Sequence, residues 1–185
     1  MWPVSRTAPR LELREFTTED ADAVFAIYGS DEATEHLSFE PRSRDEVGQI
    51  LERSVASAAA VPRVEFALAV VERDGGELIG FARLATDPHQ QRAATIGFAL
   101  RPDRSGIGYG VETVRLPLRL GFNELGPYRI RGARSALNSA SARTMANRRN
   151  ERGVHDPRTH PEERHMARLG RAGHPRPRMV HTLSL

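Results

Sequence analysis

The 185-residue chain has no cysteine and no lysine. Without cysteine, neither a disulfide nor a thiolate metal site is possible, which fits a reducing compartment such as the cytoplasm. All 27 basic residues are arginine, a bias that points to a GC-rich gene rather than to a binding function. No apolar run is long enough to cross a membrane, so no membrane partner is expected. The opening Met1–Arg6 has no apolar core and does not read as a signal peptide; residues 1–9 are expected to be disordered. A hydrophobic share of 39% beside 28% charged residues describes a soluble protein, and the length suits one domain. The net charge of +3 is uneven, because residues 146–185 hold nine arginines against four acids. The body is therefore neutral or slightly acidic and offers no basic face for nucleic acid.

The chain is rich in glycine at its centre. Ile96, Phe98 and Leu100 alternate as in a strand, and Pro102 has no N–H to continue a ladder, so pairing is expected to stop near Arg101. Gly106, Gly108 and Gly110 follow, and Val111, Val114, Leu116, Leu118 and Phe122 form a helical stripe behind them. Backbone N–H groups free of side chains, backed by the positive end of a helix, suit an anion and above all a phosphate. The same pattern also occurs as a ligand-free turn. No Lys-Ser or Lys-Thr follows, which excludes a triphosphate P-loop, and G-x-G-x-G before Val111 fails the dinucleotide fingerprint. A phosphate cradle without a lysine remains.

Leu11, Leu13 and Phe16 predict a strand over 11–17, and Thr18 is expected to cap a helix with Ala21, Val24, Phe25 and Tyr28 on one face. Residues 35–43 read as a loop, and Ser43 opens a second helix to about Ala59 with Val47, Ile50, Leu51 and Val55 inward. Strands over 66–71 and 77–84 flank the turn Asp74-Gly75-Gly76, and residues 87–92 turn into the strand at Thr95, giving an antiparallel meander. Pro117 is expected to kink or break its helix. A further strand over 128–133 leads to a helix that begins at Asn138 or Ser139. This order predicts a mixed α/β domain with a central sheet and helices on both faces.

The run Ile96–Val114 resembles the acetyl-CoA-binding motif of the GNAT superfamily of N-acetyltransferases, in its ribosomal-protein N-terminal (alanine) acetyltransferase branch. Tyr128–Met145 resembles the branch's next strand and helix, and Leu11–Val24 its opening, so the likeness covers about residues 10–145. One departure is Ser105, where the branch usually has an aromatic, commonly Trp. The resemblance implies the acyl-CoA N-acyltransferase fold with a mostly antiparallel sheet. It implies acetyl-CoA as donor and direct acetyl transfer to a primary amine of a small molecule or a protein N-terminus. Oligomeric state is left open.

The resemblance also implies site residues. The strand Ile96–Leu100 would splay from its neighbour so that the backbone of Phe98, Ala99 and Leu100 holds the pantetheine arm and thioester oxygen. Ser105, Gly106, Ile107, Gly108, Tyr109 and Gly110 would cradle the pyrophosphate. Asn138 and Ser141 stand where the branch has N-x-x-S: Asn138 would bond the pantetheine amide, and Ser141 would protonate the departing thiolate. Both are also ordinary residues for the first turn of a helix. The branch often carries Glu near the position of Thr95, and none is present here; His36, Glu40 and His89 are surface residues that a water relay would have to reach. His155, His160, His165, His174 and His181 fit no metal-ligand spacing, so no metal is expected. The competing hypothesis is a CoA-binding relic without turnover.

From Ala146 onward the apolar periodicity stops, and the tail is rich in Arg, Pro and His. It resembles nothing in the family, which continues with strands containing Trp-Arg-Asp-Ser-Val and ending near Glu-Trp. Reading the codons backwards restores both: His165-Met166-Ala167 forces TGG, Trp, when the frame moves forward by one base, and the next codons permit Arg-Asp-Ser-Val-Val. Arg178-Met179-Val180 forces a second TGG and permits Glu before it. The tail thus reads as out of the family frame, with a natural Arg-rich extension as the alternative. Such a composition is expected to be disordered and to leave the sheet without its final hairpin. Restoring the frame after Met145 is expected to raise both thermal stability and acetyl transfer. Sequencing the gene checks it, since early stop codons in the shifted frame would rule the frameshift out.

Overall fold

The computed structural model describes residues 3–35, 37, 39–90, 92–127, 129–135, 138, 141, 144 and 180–184. Seven strands lie side by side in chain order: β1 Ser5–Thr7, β2 Leu11–Glu15, β3 Glu65–Glu72, β4 Leu78–Thr86, β5 Ala93–Leu100, β6 Arg129–Ser135 and β7 Val180–Ser184. Every neighbouring pair is antiparallel except β5 and β6, which run parallel. Among the described residues the fully bounded α-helices are α1 Ala21–Tyr28, α2 Asp31–Thr34, α3 Arg44–Ala58 and α4 Tyr109–Leu120. The mixed, mostly antiparallel sheet with helices on both faces is thus present.

Alternation along the strands sorts the core into two layers. Leu11, Leu13, Phe66, Leu68, Val70, Ile79, Leu84, Ile96 and Ile130 pack against Val114, Leu116, Leu118 and Leu120 of α4. On the other face Phe16, Ala69, Val71 and Leu78 meet Val24 and Ile27 of α1 and Val47 and Leu51 of α3. The middle strand β3 is buried on both sides, which explains its nearly continuous apolar run Phe66–Val71.

Several local expectations change. Residues 1–9 were expected to be disordered, yet β1 pairs with β2, and Val4 is buried while its N–H donates to Glu15 Oε1 at 3.0 Å. That carboxylate also accepts both guanidinium arms of Arg63, whose side chain is 1% exposed, so the hairpin closes over a fully paired buried charge. Thr17, rather than Thr18, is the cap: it forms a capping box with Asp20 ahead of a 3-10 turn over Thr18–Asp20. Asp20 is locked by both arms of Arg14 at 2.8 Å; burial opposes its charge, but the hydrogen bonds from Arg14 and Thr17 win and lower its pKa. Ser43 does cap α3, in a capping box with Glu46.

Pro117 lies inside α4, and the helix runs through it to Leu120 before a π-helical turn over Gly121–Leu125. Leu116, Leu118 and Leu120 are buried on both sides of the proline, so tertiary packing outweighs its missing N–H. The sheet edge at β6 was expected to be bare. Instead Val180–Ser184 pairs with it antiparallel, a short β-branched and apolar segment that satisfies the open ladder. The rest of the tail expected to be disordered, residues 146–179 and Leu185, lies outside the described residues, as do Met1 and Trp2.

Candidate functional site

The site begins where β5 and β6 part. β5 stays paired with β4 along its length, from Ala94↔Thr86 to Leu100↔Gly80. Its pairing with β6 covers only Ala93↔Arg129 to Ile96↔Gly132, after which β6 continues with β7 as partner. The N–H of Arg101 donates to Ile79 O at 2.8 Å, so the backbone groups of odd-numbered residues face β4. By strand alternation, Phe98 and Leu100 turn theirs toward the opening. Gly80 is required on the closed side: a Cβ there would stand 2.3 Å from Ala99 O. Strand pairing ends at Leu100, as Pro102 predicts, and a 3-10 turn spans Pro102–Arg104.

Arg101 and Arg104 brace that turn. Arg101 bonds both oxygens of Asp103 at 3.0 and 2.7 Å and also reaches Glu77, while Arg104 donates to Glu77 at 2.6 Å. These hydrogen bonds hold Asp103 and Glu77 below the usual carboxylate range. Ser105 to Gly108 are exposed, and Gly108 caps α4 with φ +89°, in the left-handed region that favours glycine. The N–H groups of Gly106, Ile107, Gly108, Tyr109 and Gly110 donate to no other described residue. N–H groups of this kind at a helix N-terminus are the type of donor set that suits an anion such as a phosphate.

Arg10, immediately before β2, reaches this loop. Its Nε donates to Glu112 Oε1 at 2.6 Å, its backbone N–H to Glu112 Oε2 at 3.2 Å, and its Nη1 to Ile107 O at 3.0 Å. The guanidinium lies 4.6 Å from the Tyr109 ring centroid. A hydrogen bond to Glu72 raises the Tyr109 phenol pKa. Arg10 and Glu112 were missed in the sequence because about a hundred residues separate them; the one available signal was a lone acid in the first turn of a helix, which has many ordinary explanations.

Three residues between β6 and β7 are described. Asn138 Oδ1 accepts the N–H of Ser141 at 2.7 Å, and Ser141 and Thr144 are helical. Thr144 Oγ1 lies 3.1 Å from where a Cβ on Gly110 would stand, and Phe98 lies 3.9 Å from the same point. Gly110 therefore serves close packing; unlike Gly108 it does not have positive φ. Phe98, Gly110 and Thr144, far apart in sequence, thus meet beside the fork. The candidates for a base do not join them. His89 is exposed on the turn between β4 and β5, Glu40 is exposed, and His36 lies outside the described residues. Among the described residues no cluster could hold a metal ion.

Comparison with known proteins gives this geometry a family. The model of the acetyltransferase (GNAT) domain matches residues 10–147. The uncharacterized N-acetyltransferase YoaA of Bacillus subtilis is 30% identical over 146 residues, covering 78% of this chain and 81% of that protein. Among solved structures, spermidine N-acetyltransferase from Vibrio cholerae, bound to CoA and spermine, superposes with a TM-score of 0.65 at 18% identity, covering 76% of this chain and 80% of that one. Ribosomal-protein-S5-alanine acetyltransferase from Vibrio fischeri gives 0.61 at 20% identity, covering 78% and 81%. A match that takes in the strand fork, the glycine loop and the segment after β6 together means that the chain belongs to the GNAT family of acetyltransferases.

Proposed function

We propose that this chain transfers the acetyl group of acetyl-CoA directly to a primary amine held on the α1/α3 face of the sheet. The observation that carries the reading is the parting of β5 from β6 after Ile96↔Gly132, next to a loop of unpartnered N–H groups. Acetyl-CoA supplies the thioester. Gly106–Gly110 bind its pyrophosphate, and the fork-facing backbone of Phe98 and Leu100 binds the pantetheine arm and donates toward the developing oxyanion. Asn138 has its Oδ1 engaged by Ser141 N–H, which leaves its amide N–H groups to point at the arm. Ser141 Oγ bonds no other described residue, and in this reading it gives the departing sulfur a proton. In the exchange a C–N bond forms and the C–S bond breaks; the amine loses one proton and the sulfur gains one.

The acceptor side follows from alternation on β5. Ile96 and Phe98 pack toward α4, so Thr95, Gly97 and Ala99 face α1 and α3. A Cβ on Gly97 would meet nothing within 4 Å, which leaves open space beside the fork. Gly97 is in register with Arg83, and a cleft lined by Phe16, Tyr28, Ser54, Glu65, Phe81 and Arg83 continues from there between the sheet and the two helices. An acceptor can lay its body in that cleft and extend its amine across Gly97. The names of the two solved structures above, a spermidine N-acetyltransferase and a ribosomal-protein-S5-alanine acetyltransferase, make polyamines and protein amines the two chemistries to try first.

A CoA-binding relic is the second reading, favoured by Thr95, which puts no carboxylate on the acceptor side of β5. Acetyl-CoA binding measured beside thiol release with spermidine and with peptide amines separates the two; binding without release supports the relic. Gly97→Leu is expected to fold and bind CoA normally while thiol release falls to background, and unchanged release would move the acceptor elsewhere. Ser141→Ala should lower turnover on the order of a hundredfold with little change in CoA affinity. Equal turnover would return Ser141 to a structural role. Gly108→Val should lose CoA binding, because it strains φ +89° and its Cβ meets Arg10 Nη2 at 3.2 Å. A folded Gly108→Val protein with wild-type CoA affinity would refute the cradle.

A further inference from the structure

We propose that Arg10 is the cation of the phosphate cradle, a group that the loop's own sequence lacks. The inference rests on the acetyl-CoA reading above and adds to it a ligand-touching residue from outside the glycine motif.

The geometry favours Arg10 over the other arginines nearby. Arg101 and Arg104 are tied down by Asp103, Glu77 and Glu72, which surround them with carboxylate on the side of the 3-10 turn. Among the described residues Arg10 pairs with a single carboxylate, that of Glu112. Its Nε and Nη2 meet Glu112 Oε1 at 2.6 and 2.5 Å, and its Nη1 donates to Ile107 O at 3.0 Å. A guanidinium has five N–H groups, so one remains on Nη1 and one on Nη2. The Glu112 side chain is 11% exposed and lies beneath, whereas that of Arg10 is 46% exposed. The outward surface of the pair is therefore cationic. Nη2 stands 3.2 Å from the position a Gly108 Cβ would take, next to the N–H groups of Tyr109 and Gly110. Stacking over Tyr109 fixes the plane of the fork. The two guanidinium N–H groups that meet no other described residue, beside the backbone N–H groups of the loop, suit the oxygens of a phosphate.

The test is equilibrium binding, by calorimetry on the full chain, of CoA and of acetyl-pantetheine, which lacks the phosphates. Arg10→Gln is expected to weaken CoA roughly tenfold or more, the value of one charged hydrogen bond, and to leave acetyl-pantetheine within about twofold. Arg10→Lys keeps the charge but not the fork and should bind CoA more tightly than Arg10→Gln. Wild-type CoA affinity in Arg10→Gln overturns the inference. So do equal losses in the Gln and Lys variants, which would mean that Arg10 acts only by shaping the loop, or an equal loss for acetyl-pantetheine. If Arg10→Gln does not fold, the wild type decides: its CoA affinity should fall with ionic strength while that for acetyl-pantetheine stays level, and a flat CoA response overturns the inference. A wild type that binds neither compound refutes the acetyl-CoA reading itself, a result distinct from failure of Arg10 alone.

Discussion

Two parallel strands that separate in mid-sheet leave backbone donors and acceptors facing each other across a gap too wide to bridge. In a folded interior such groups need partners, at a cost of about 1–3 kcal/mol for each left unsatisfied. The gap after Ile96↔Gly132 therefore persists only because other contacts hold its walls. β5 is held on one side by β4 over seven residue pairs, with Gly80 letting the two backbones close up against Ala99 O. β6 is held away by β7 and by Ile130, which is fully buried under α4. An extended ligand with amide groups of its own can enter the gap as a substitute strand, which is the shape and chemistry of a pantetheine arm.

The same parting aligns the rest of the site. Phe98 and Leu100 send their side chains toward α4 and their backbone groups into the gap, so one alternation serves packing and binding together. Because Phe98 also lies near Gly110 and Thr144, the start of α4 and the segment after β6 are brought to the end of the opening. Phosphates bound at the loop and an arm bound in the gap would then point a thioester toward Gly97, where the sheet's other face is open. In the proposed reaction, donor and acceptor would approach from opposite faces of a single strand.

What could be read from the sequence was local. The alternation of Ile96, Phe98 and Leu100, the stop at Pro102 and the run of glycines are neighbours in the chain, and their consequences for backbone geometry do not depend on the rest of the fold. The capping box at Ser43 belongs to the same class. Contacts across long sequence distances were not legible. Arg10 meets Glu112 because β2 and α4 share a core layer, and nothing in either local sequence marks the meeting. β1 was invisible because its stability comes from Glu15 and Arg63 rather than from its own three residues. Gly97 looks like a defect in a strand until the face it opens is known.

Asn138 shows why a capping role and the proposed functional one need not compete. Its Oδ1 accepts the Ser141 N–H, and this bond fixes the plane of the side-chain amide. A fixed plane in turn fixes the direction of the two remaining N–H donors, so a ligand amide meets a group that loses no rotamer freedom on binding. The same turn sets the backbone of Ser141 and hence the arc over which its hydroxyl can swing. In the proposed roles, a freely rotating Asn or Ser at these positions would bind the arm less tightly and deliver a proton less often. If the proposed roles hold, the helix cap is what pre-positions the two side chains, and losing it would be felt first in the chemistry and only second in stability.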